Sequence, residues 1–422
     1  DDTAYLGAIA LLRAAQRSPD ELIVHHDLAA GVIGVRLFKD GEWAYEIIDD
    51  FLPCCQDGSL SCGRTTIASE VWIALLEKAN AKIHGSYEAV QRTTDLEALE
   101  DLTGGAVRRL ERRELASSTM LARVIEKRQQ LSCLHLAARR RERRGEKHAS
   151  GLLSGYTYPL IELLEQSEED GPLRCRLEDP WLSTIQGGTS SDSHTVTASN
   201  AAASLDMDAN FMLKSITEVI ELRSPPANWF CCRAALSTDR PCYPLLSARC
   251  PASCVLLACQ PDRRWQCRDS YFNGLGLRVY RCRVRAPPAN RQGARQDPKA
   301  NPFEPLELIS RRPLGKTRSA CVEFSLEPYA LYVVSVDSQY KCPRCILRFA
   351  CSTEVQFREL SAPEAEHFLA AQAGAVEVAQ PDMSPRSDSG DDGGFCRGLD
   401  LKRCEPPNCK PAGWLRWWNL GC

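Results

Sequence analysis

Residues 69–89 read SEVWIALLEKANAKIHGSYEA. Val71, Trp72, Leu75, Leu76, Ala79 and Ile83 recur at the three- and four-residue spacing that lines one face of a helix. Ser69 stands where an N-cap hydroxyl would stand, and Gly85 where a left-handed C-cap residue would. The pattern predicts a helix from Ser69 to about Ile83, stopped by Gly85. An apolar stripe needs a second element to cover it, and the preceding chain supplies candidates. Residues 4–15, AYLGAIALLRAA, are rich in Ala and Leu and free of Pro, which predicts a largely buried helix. Residues 32–38, VIGVRLF, and 43–48, WAYEII, are strand-like, and Lys39-Asp40-Gly41 between them signals a hairpin.

Past the quoted stretch, residues 107–147 hold thirteen Arg or Lys against five Glu. A basic run of this kind suits nucleic acid or phospholipid. It contains no aromatic residue for base stacking, so the solvated face of a helix is the favoured reading. From about residue 228 the texture changes to short β-rich runs: Cys254–Cys259, Leu275–Val284, Ala320–Leu326, Leu331–Val336 and Cys345–Cys351. In the third run Val322, Phe324 and Leu326 alternate with Glu323, Ser325 and Glu327, the period of a half-buried strand. Short strands with Pro- and Gly-rich turns between them predict an antiparallel sandwich. Residues 285–305 hold five prolines and read as a long loop. Residues 380–394, QPDMSPRSDSGDDGG, read as a disordered linker, its Asp388, Asp391 and Asp392 as solvated charges. Trp414, Trp417 and Trp418 near the end suit a partner anchor or a docked tail.

A chain of 422 residues suggests two or three domains. A net charge of −3 gives no overall field for nucleic acid or anionic lipid, and no apolar run reaches the roughly 18 residues needed to span a bilayer. The first residue is Asp, so a piece of a longer polypeptide is expected. Twenty-one cysteines spread over this length, with adjacent pairs such as Cys54-Cys55 and Cys231-Cys232, suggest free thiols in a reducing compartment. Cys342-Pro-Arg-Cys345 is half of a tetrahedral zinc site. Cys404 and Cys409 would complete it only with an unusually wide spacing, so structural zinc is not favoured.

Several stretches together resemble the calpain family of cysteine proteases. They are Gly41–Pro53, the helix segment 69–89, Asp101-Leu-Thr-Gly-Gly105, Gly155-Tyr-Thr-Tyr158, Leu177-Glu-Asp-Pro-Trp181 and Asn210–Glu221. The strands from 228 to 351, with Gln260-Pro-Asp-Arg-Arg264 and Leu326–Val334, resemble that family's β-sandwich, domain III. The resemblance implies an α+β chain: a papain-like calpain protease core, truncated at its N-terminus, followed by an antiparallel β-sandwich. On that reading residues 1–90 are the C-terminal part of the first protease half, 91–223 the second half and 228–352 the domain III-like sandwich. Residues 353–422 are a tail with a disordered linker.

What the resemblance implies chemically is a Cys-His-Asn triad, in which a helix N-terminus and a histidine activate the thiol and an asparagine orients the ring. The matching positions here are Thr3, Tyr156 and Asp179. A hydroxyl is no thiolate, and a phenol, which titrates near 10 in water, is a poor base at neutral pH. Thr3 is not the first residue, which removes the N-terminal threonine mechanism. No Cys precedes Cys54, and His25 and His26 (read as loop residues) and His148 lie outside matching motifs. The family's calcium switch would leave Glu70 and Asp192 as remnant metal ligands. The other acidic positions of the second site read Ile185, Ala201 and Ala203, too few charged oxygens for a hard cation. No cofactor is certain, and calcium is the one to test.

The favoured function is therefore a non-catalytic, cytoplasmic calpain-like protein with a protein partner, a phospholipid membrane as a further partner through the sandwich, and no nucleic acid. Two alternatives stay open: an active or atypical calpain-type intracellular endopeptidase, and an architectural module of a larger multi-domain protein.

Overall fold

The computed structural model describes residues 3–56, 58–65, 70–110, 113–126, 132–139, 146–164, 173–181, 195–196, 203–236, 243–262, 274–282, 306–338, 345–372 and 376–377. These fall into two compact units divided between Ser224 and Pro225, with Asp262 belonging to the first.

The first unit opens with helix α1 (Thr3–Ala14), buried from Tyr5 to Leu12. It continues through β1 (Ile23–Asp27), β2 (Val32–Lys39) and β3 (Glu42–Asp49), an antiparallel sheet in that order. The expected hairpin joins β2 to β3. Asp40 and Gly41 both take positive φ, 52° and 84°, as a two-residue hairpin turn requires. His25 and His26 lie on β1, not in a loop, paired with Gly34 and Ile33 of β2 after a bulge that follows Ile23. The strand β4 (Arg64–Thr65) precedes helix α2 (Trp72–His84), which ends at Gly85 in the left-handed conformation, φ 96°. The N-cap is Val71, and Ser69 lies outside the described residues. The stripe is wider than its periodicity suggests, since Ile73, Ala74, Glu77, Asn80, Ala81 and His84 are buried as well.

Helices α3 (Tyr87–Gln91) and α4 (Asp95–Thr103) follow. Thr94 and Glu97 form a reciprocal capping box at the start of α4, and Gly104 ends it with φ 63°. The rest of the unit is β5 (Ala106–Arg109), α5 (Ser118–Glu126), β6 (Ser132–Arg139), β7 (Tyr156–Leu164), β8 (Arg174–Asp179), β9 (Thr195–Val196), β10 (Ala203–Asp208), α6 (Ala209–Ser215) and β11 (Glu218–Ser224). One antiparallel sheet runs β10-β8-β7-β6-β11-β5, while β4 and β9 pair in parallel.

The basic stretch 107–147 is not a helical face. It contains β5, α5 and β6, and β6 lies inside the sheet with Leu136, Ala137 and Ala138 fully buried. The charge count hides this because part of the charge is itself neutralised within the fold. Arg108 donates to Glu114 on both guanidinium ends, at 2.7 Å, and to Glu221 at 3.0 Å.

The second unit is two sheets over one core. One sheet orders β12 (Phe230–Leu236), β19 (Cys345–Cys351), β14 (Ala252–Cys259) and β17 (Ser319–Leu326). The other orders β20 (Val355–Glu359), β13 (Pro244–Ala248), β18 (Leu331–Ser338), β15 (Gly274–Cys282), β16 (Leu306–Lys316) and β21 (Val376–Glu377). All pairings are antiparallel except β16 with β21. Leu256, Phe324, Leu347 and Phe349 of the first sheet share a core with Leu246, Leu277, Val279, Tyr332 and Val334 of the second. Along β17 the buried Val322, Phe324 and Leu326 alternate with Glu323 and Ser325 as expected. Helix α7 (Ala362–Gln372) puts Phe368 against Tyr243 and Tyr280, ring centroids 4.8 and 5.5 Å away. The segments 283–305 and 378–422, which include the loop, the linker and the tryptophans, lie outside the described residues.

Candidate functional site

The three singled-out positions sit at element ends. Thr3 begins α1, Tyr156 begins β7 and Asp179 ends β8. Thr157 is the point where their neighbourhoods meet. Gly7 lies four residues after Thr3 on the same helix face, and a Cβ at Gly7 would fall 1.9 Å from Thr157 Oγ1. Only a glycine lets α1 approach β7 this closely. The carbonyl of Thr157 accepts a 2.8 Å bond from the indole Nε1 of Trp181, and Trp181 is fully buried. The Trp181 amide in turn donates to Asp179 Oδ1 at 2.9 Å, closing the Asp179-Pro180-Trp181 turn. The Tyr156 ring meets Trp181 edge-on, centroids 5.0 Å apart and planes at 67°. Tyr156 is only 8% exposed.

The surrounding bonds fix these elements. Tyr5 donates from its hydroxyl to the Leu76 carbonyl at 3.1 Å, tying α1 to α2. Arg13 pairs with Glu178, the residue before Asp179, at 2.8 Å. Tyr158 Oη accepts the Leu153 amide at 2.7 Å, which holds the 148–155 turn against β7. Burial pushes the Tyr158 phenol well above its ordinary range. Within that turn His148 Nδ1 contacts Ser150 Oγ at 2.8 Å and accepts the Ser150 amide at 3.1 Å. Its Nδ1 thus serves the local turn.

Asp179 is 3% exposed, and burial raises its carboxyl pKa, opposed in part by the Trp181 amide and by Lys147. The sign of the linkage follows. With the folded pKa above the unfolded one, the ionised carboxylate destabilises the fold above the folded pKa, and this cost disappears below the ordinary value of 3.8. Asp179→Asn keeps an oxygen for the Trp181 amide and removes the charge. It is expected to raise the thermal midpoint at pH 7, with the gain shrinking to nothing as the pH falls below 3.8. A gain that persists unchanged in acid would mean the carboxylate is not the cause.

As a chemical set, these positions offer a hydroxyl, a phenol and a carboxylate, and no thiol or imidazole. Glu70 lies half-buried just before α2. Asp192, Ile185 and Ala201 fall outside the described residues, while Ala203 begins β10 in register with Asp179. Among the described residues no group of three or more His, Cys, Asp or Glu is arranged to hold a metal ion. Cys54, Cys55, Cys175, Cys250, Cys254, Cys282 and Cys351 are free thiols, and Cys342 of the CxxC pair lies outside the described residues. No helix among the described residues is long and apolar enough to cross a membrane.

Sequence reasoning missed two buried ionic clusters. In one, His84 at the end of α2 reaches Asp101 of α4 through Nε2 at 3.1 Å and Asp262 through Nδ1 at 2.5 Å, all three 7% exposed or less. Both ring nitrogens face carboxylate oxygens. The Asp262 amide donates to Asp40 at 2.7 Å, so this segment is held at two points. In the other, Glu221 on β11 accepts from Arg108 and Arg223 and lies 3.4 Å from His135. The strand registers set Glu221 opposite both Arg108 and His135.

Residues 2–203 match the family described as calpain family cysteine protease. This segment belongs to the calpain family. Among curated calpains, the maize calpain-type cysteine protease DEK1 is 30% identical over 201 residues, which is 46% of this chain and 9% of the maize protein. Calpain-A of Drosophila melanogaster is 33% identical over 159 residues, 36% of this chain and 19% of that one. The bovine calpain-1 catalytic subunit is 35% identical over 138 residues, 31% of this chain and 19% of the subunit. The chain thus spans a fifth or less of these calpains. The calpain match covers α1, the β2–β3 hairpin, α2 and the site around Thr157, and stops at the start of β10.

Proposed function

We propose that the chain is a calpain-type scaffold that binds a protein partner and does not cleave peptide bonds. The observation that carries this is the identity of three residues. The positions matched to the calpain Cys, His and Asn hold Thr3, Tyr156 and Asp179 in an otherwise well-packed setting. Residues 1–90 and 91–223 are assigned as the remaining part of the first protease half and the second half of a papain-like core. Residues 228–352 are assigned as the domain III-like sandwich, and 353–422 as the tail. Exposed Tyr45, Ile47 and Phe51 on and beside β3 add apolar surface of the kind a protein partner covers. The sandwich is the proposed contact for a phospholipid surface, and the working compartment is intracellular. Calcium binding at Glu70 and Asp192 is proposed to be weak or lost, since too few carboxylates remain.

The rival reading, an active endopeptidase, draws on the relatives, which are named as calpain-type cysteine proteases. Casein hydrolysis measured with and without calcium, together with labelling by an epoxide thiol inhibitor, separates the two. No calcium-stimulated cleavage and no label within residues 1–223 are expected. Stimulated cleavage with label on a cysteine of that segment would establish the endopeptidase.

A further inference from the structure

Two thiols touch in the core of the second unit. Cys254 lies on β14 and Cys351 ends β19, and the antiparallel register sets them directly opposite each other. Their Sγ atoms are 3.1 Å apart, roughly 1 Å more than the ~2.05 Å of an S–S bond. The neighbouring pair defines the geometry. The Ser352 amide donates to the Ser253 carbonyl at 2.9 Å, so Ser253 and Ser352 form a hydrogen-bonded pair. Cys254 and Cys351 are then the adjacent non-hydrogen-bonded pair, in which opposed Cα atoms approach to about 4.5 Å and side chains lie closest. That spacing falls within the span a disulfide bridges, about 4.4–6.8 Å.

Two other buried cysteines of the same sheet have no cysteine opposite them in the strand register. Cys232 stands opposite Phe349 and Cys321 opposite Leu257. The pair also lies near the rim of its sheet: Ser352 is exposed, as are Cys250 and Pro251 before β14.

We propose that Cys254 and Cys351 are a redox pair, closed into a cross-strand disulfide by a low-molecular-weight disulfide such as oxidised glutathione. Cys351, one residue from exposed Ser352, loses its proton and attacks one sulfur of the oxidant, releasing one glutathione thiol. Cys254 then loses its proton and attacks the Cys351 sulfur of the mixed disulfide, releasing the second. Two protein thiols lose two protons and two electrons, and one small disulfide becomes two thiols. Burial holds the Cys254 thiol well above its ordinary pKa, so the reaction is slow and opening of the rim limits it. The bond ties β14 to β19 across 97 residues of sequence separation.

The test incubates the full chain, fully reduced and then freed of reductant, with oxidised glutathione under native conditions. Remaining thiols are alkylated after denaturation, and unreduced digests are read by mass spectrometry. The expected product links the Cys254 peptide to the Cys351 peptide and is two hydrogens lighter than their sum. Its formation raises the thermal midpoint of the second unit by roughly 5 to 10 °C, the scale for closing a loop this long. Dithiothreitol reverses both changes, and Cys351→Ala abolishes them. Alkylated Cys254 and Cys351 at the end of the incubation, or a link from either to Cys232 or Cys321, would overturn the proposal.

Discussion

Replacing Asp101 with alanine is expected to cost the first unit roughly 3–5 kcal/mol, the scale for breaking a buried ion pair from one side. Asp101 is fully buried on α4, and His84, 1% exposed, meets it at 3.1 Å. Without Asp101, the His84 Nε2 loses that carboxylate in a place water does not reach, while Asp262 still holds Nδ1. A typical domain has only about 5–15 kcal/mol in total. Urea denaturation followed by circular dichroism measures the effect as a lowered midpoint at unchanged slope. The exposed pair Lys78–Asp49 is the internal control, and Asp49→Ala should leave the midpoint almost unmoved. A change at Asp101 as small as that at Asp49 would mean that the cluster does not hold α2, α4 and the 262 segment together.

Trp181→Ala is expected to be comparably severe, again roughly 3–5 kcal/mol, because a fully buried indole leaves a large cavity. Two contacts go with it, the ring against Tyr156 and the indole bond to the Thr157 carbonyl, while the backbone amide of residue 181 keeps its bond to Asp179. Trp181→Phe keeps much of the volume and loses the hydrogen bond, so a cost nearer 1–3 kcal/mol is expected. The two variants together separate packing from bonding. Tyr156 should also become accessible in the alanine variant, read as a gain in its reactivity toward tetranitromethane. An alanine variant of full stability, with Tyr156 still protected, would show that β8 does not support the start of β7.

Much of the fold is legible in the chain because local rules and tertiary packing agree. The α2 stripe, Gly85 and the Asp40-Gly41 hairpin each state their structure in a few residues, and the alternation in β17 does the same. The stretch around β6 is not legible in this way. Its Arg and Lys outnumber its Glu thirteen to five over 107–147, and the pairing of Arg108 with Glu114 and Glu221 and of Arg109 with Glu218 shows how part of that charge enters a sheet. The positions Thr3, Tyr156 and Asp179 come from motif resemblance, since no spacing in the sequence connects them. The convergence on Thr157 depends on Gly7, and a glycine in a helix announces nothing about what it approaches. The His84 cluster is less visible still. Asp101 and Asp262 stand 17 and 178 positions from His84 in the sequence, so only the folded chain joins them.

The central claim is that the calpain scaffold is intact around Thr157 and that only its reactive groups are different. Rebuilding the groups tests this most directly. Thr3→Cys alone is compared with Thr3→Cys, Tyr156→His and Asp179→Asn together, and iodoacetamide alkylation of the thiol at position 3 is followed by mass spectrometry from pH 5 to 9. The N-terminus of α1 favours an anion there, and an imidazole at 156 would favour it further. The account predicts that the triple variant reacts roughly tenfold faster at pH 6 than the single one, with a midpoint well below the ordinary thiol value of about 8.5. Equal rates in the two variants, both titrating near that ordinary value, would contradict it: residues 3 and 156 would not face each other.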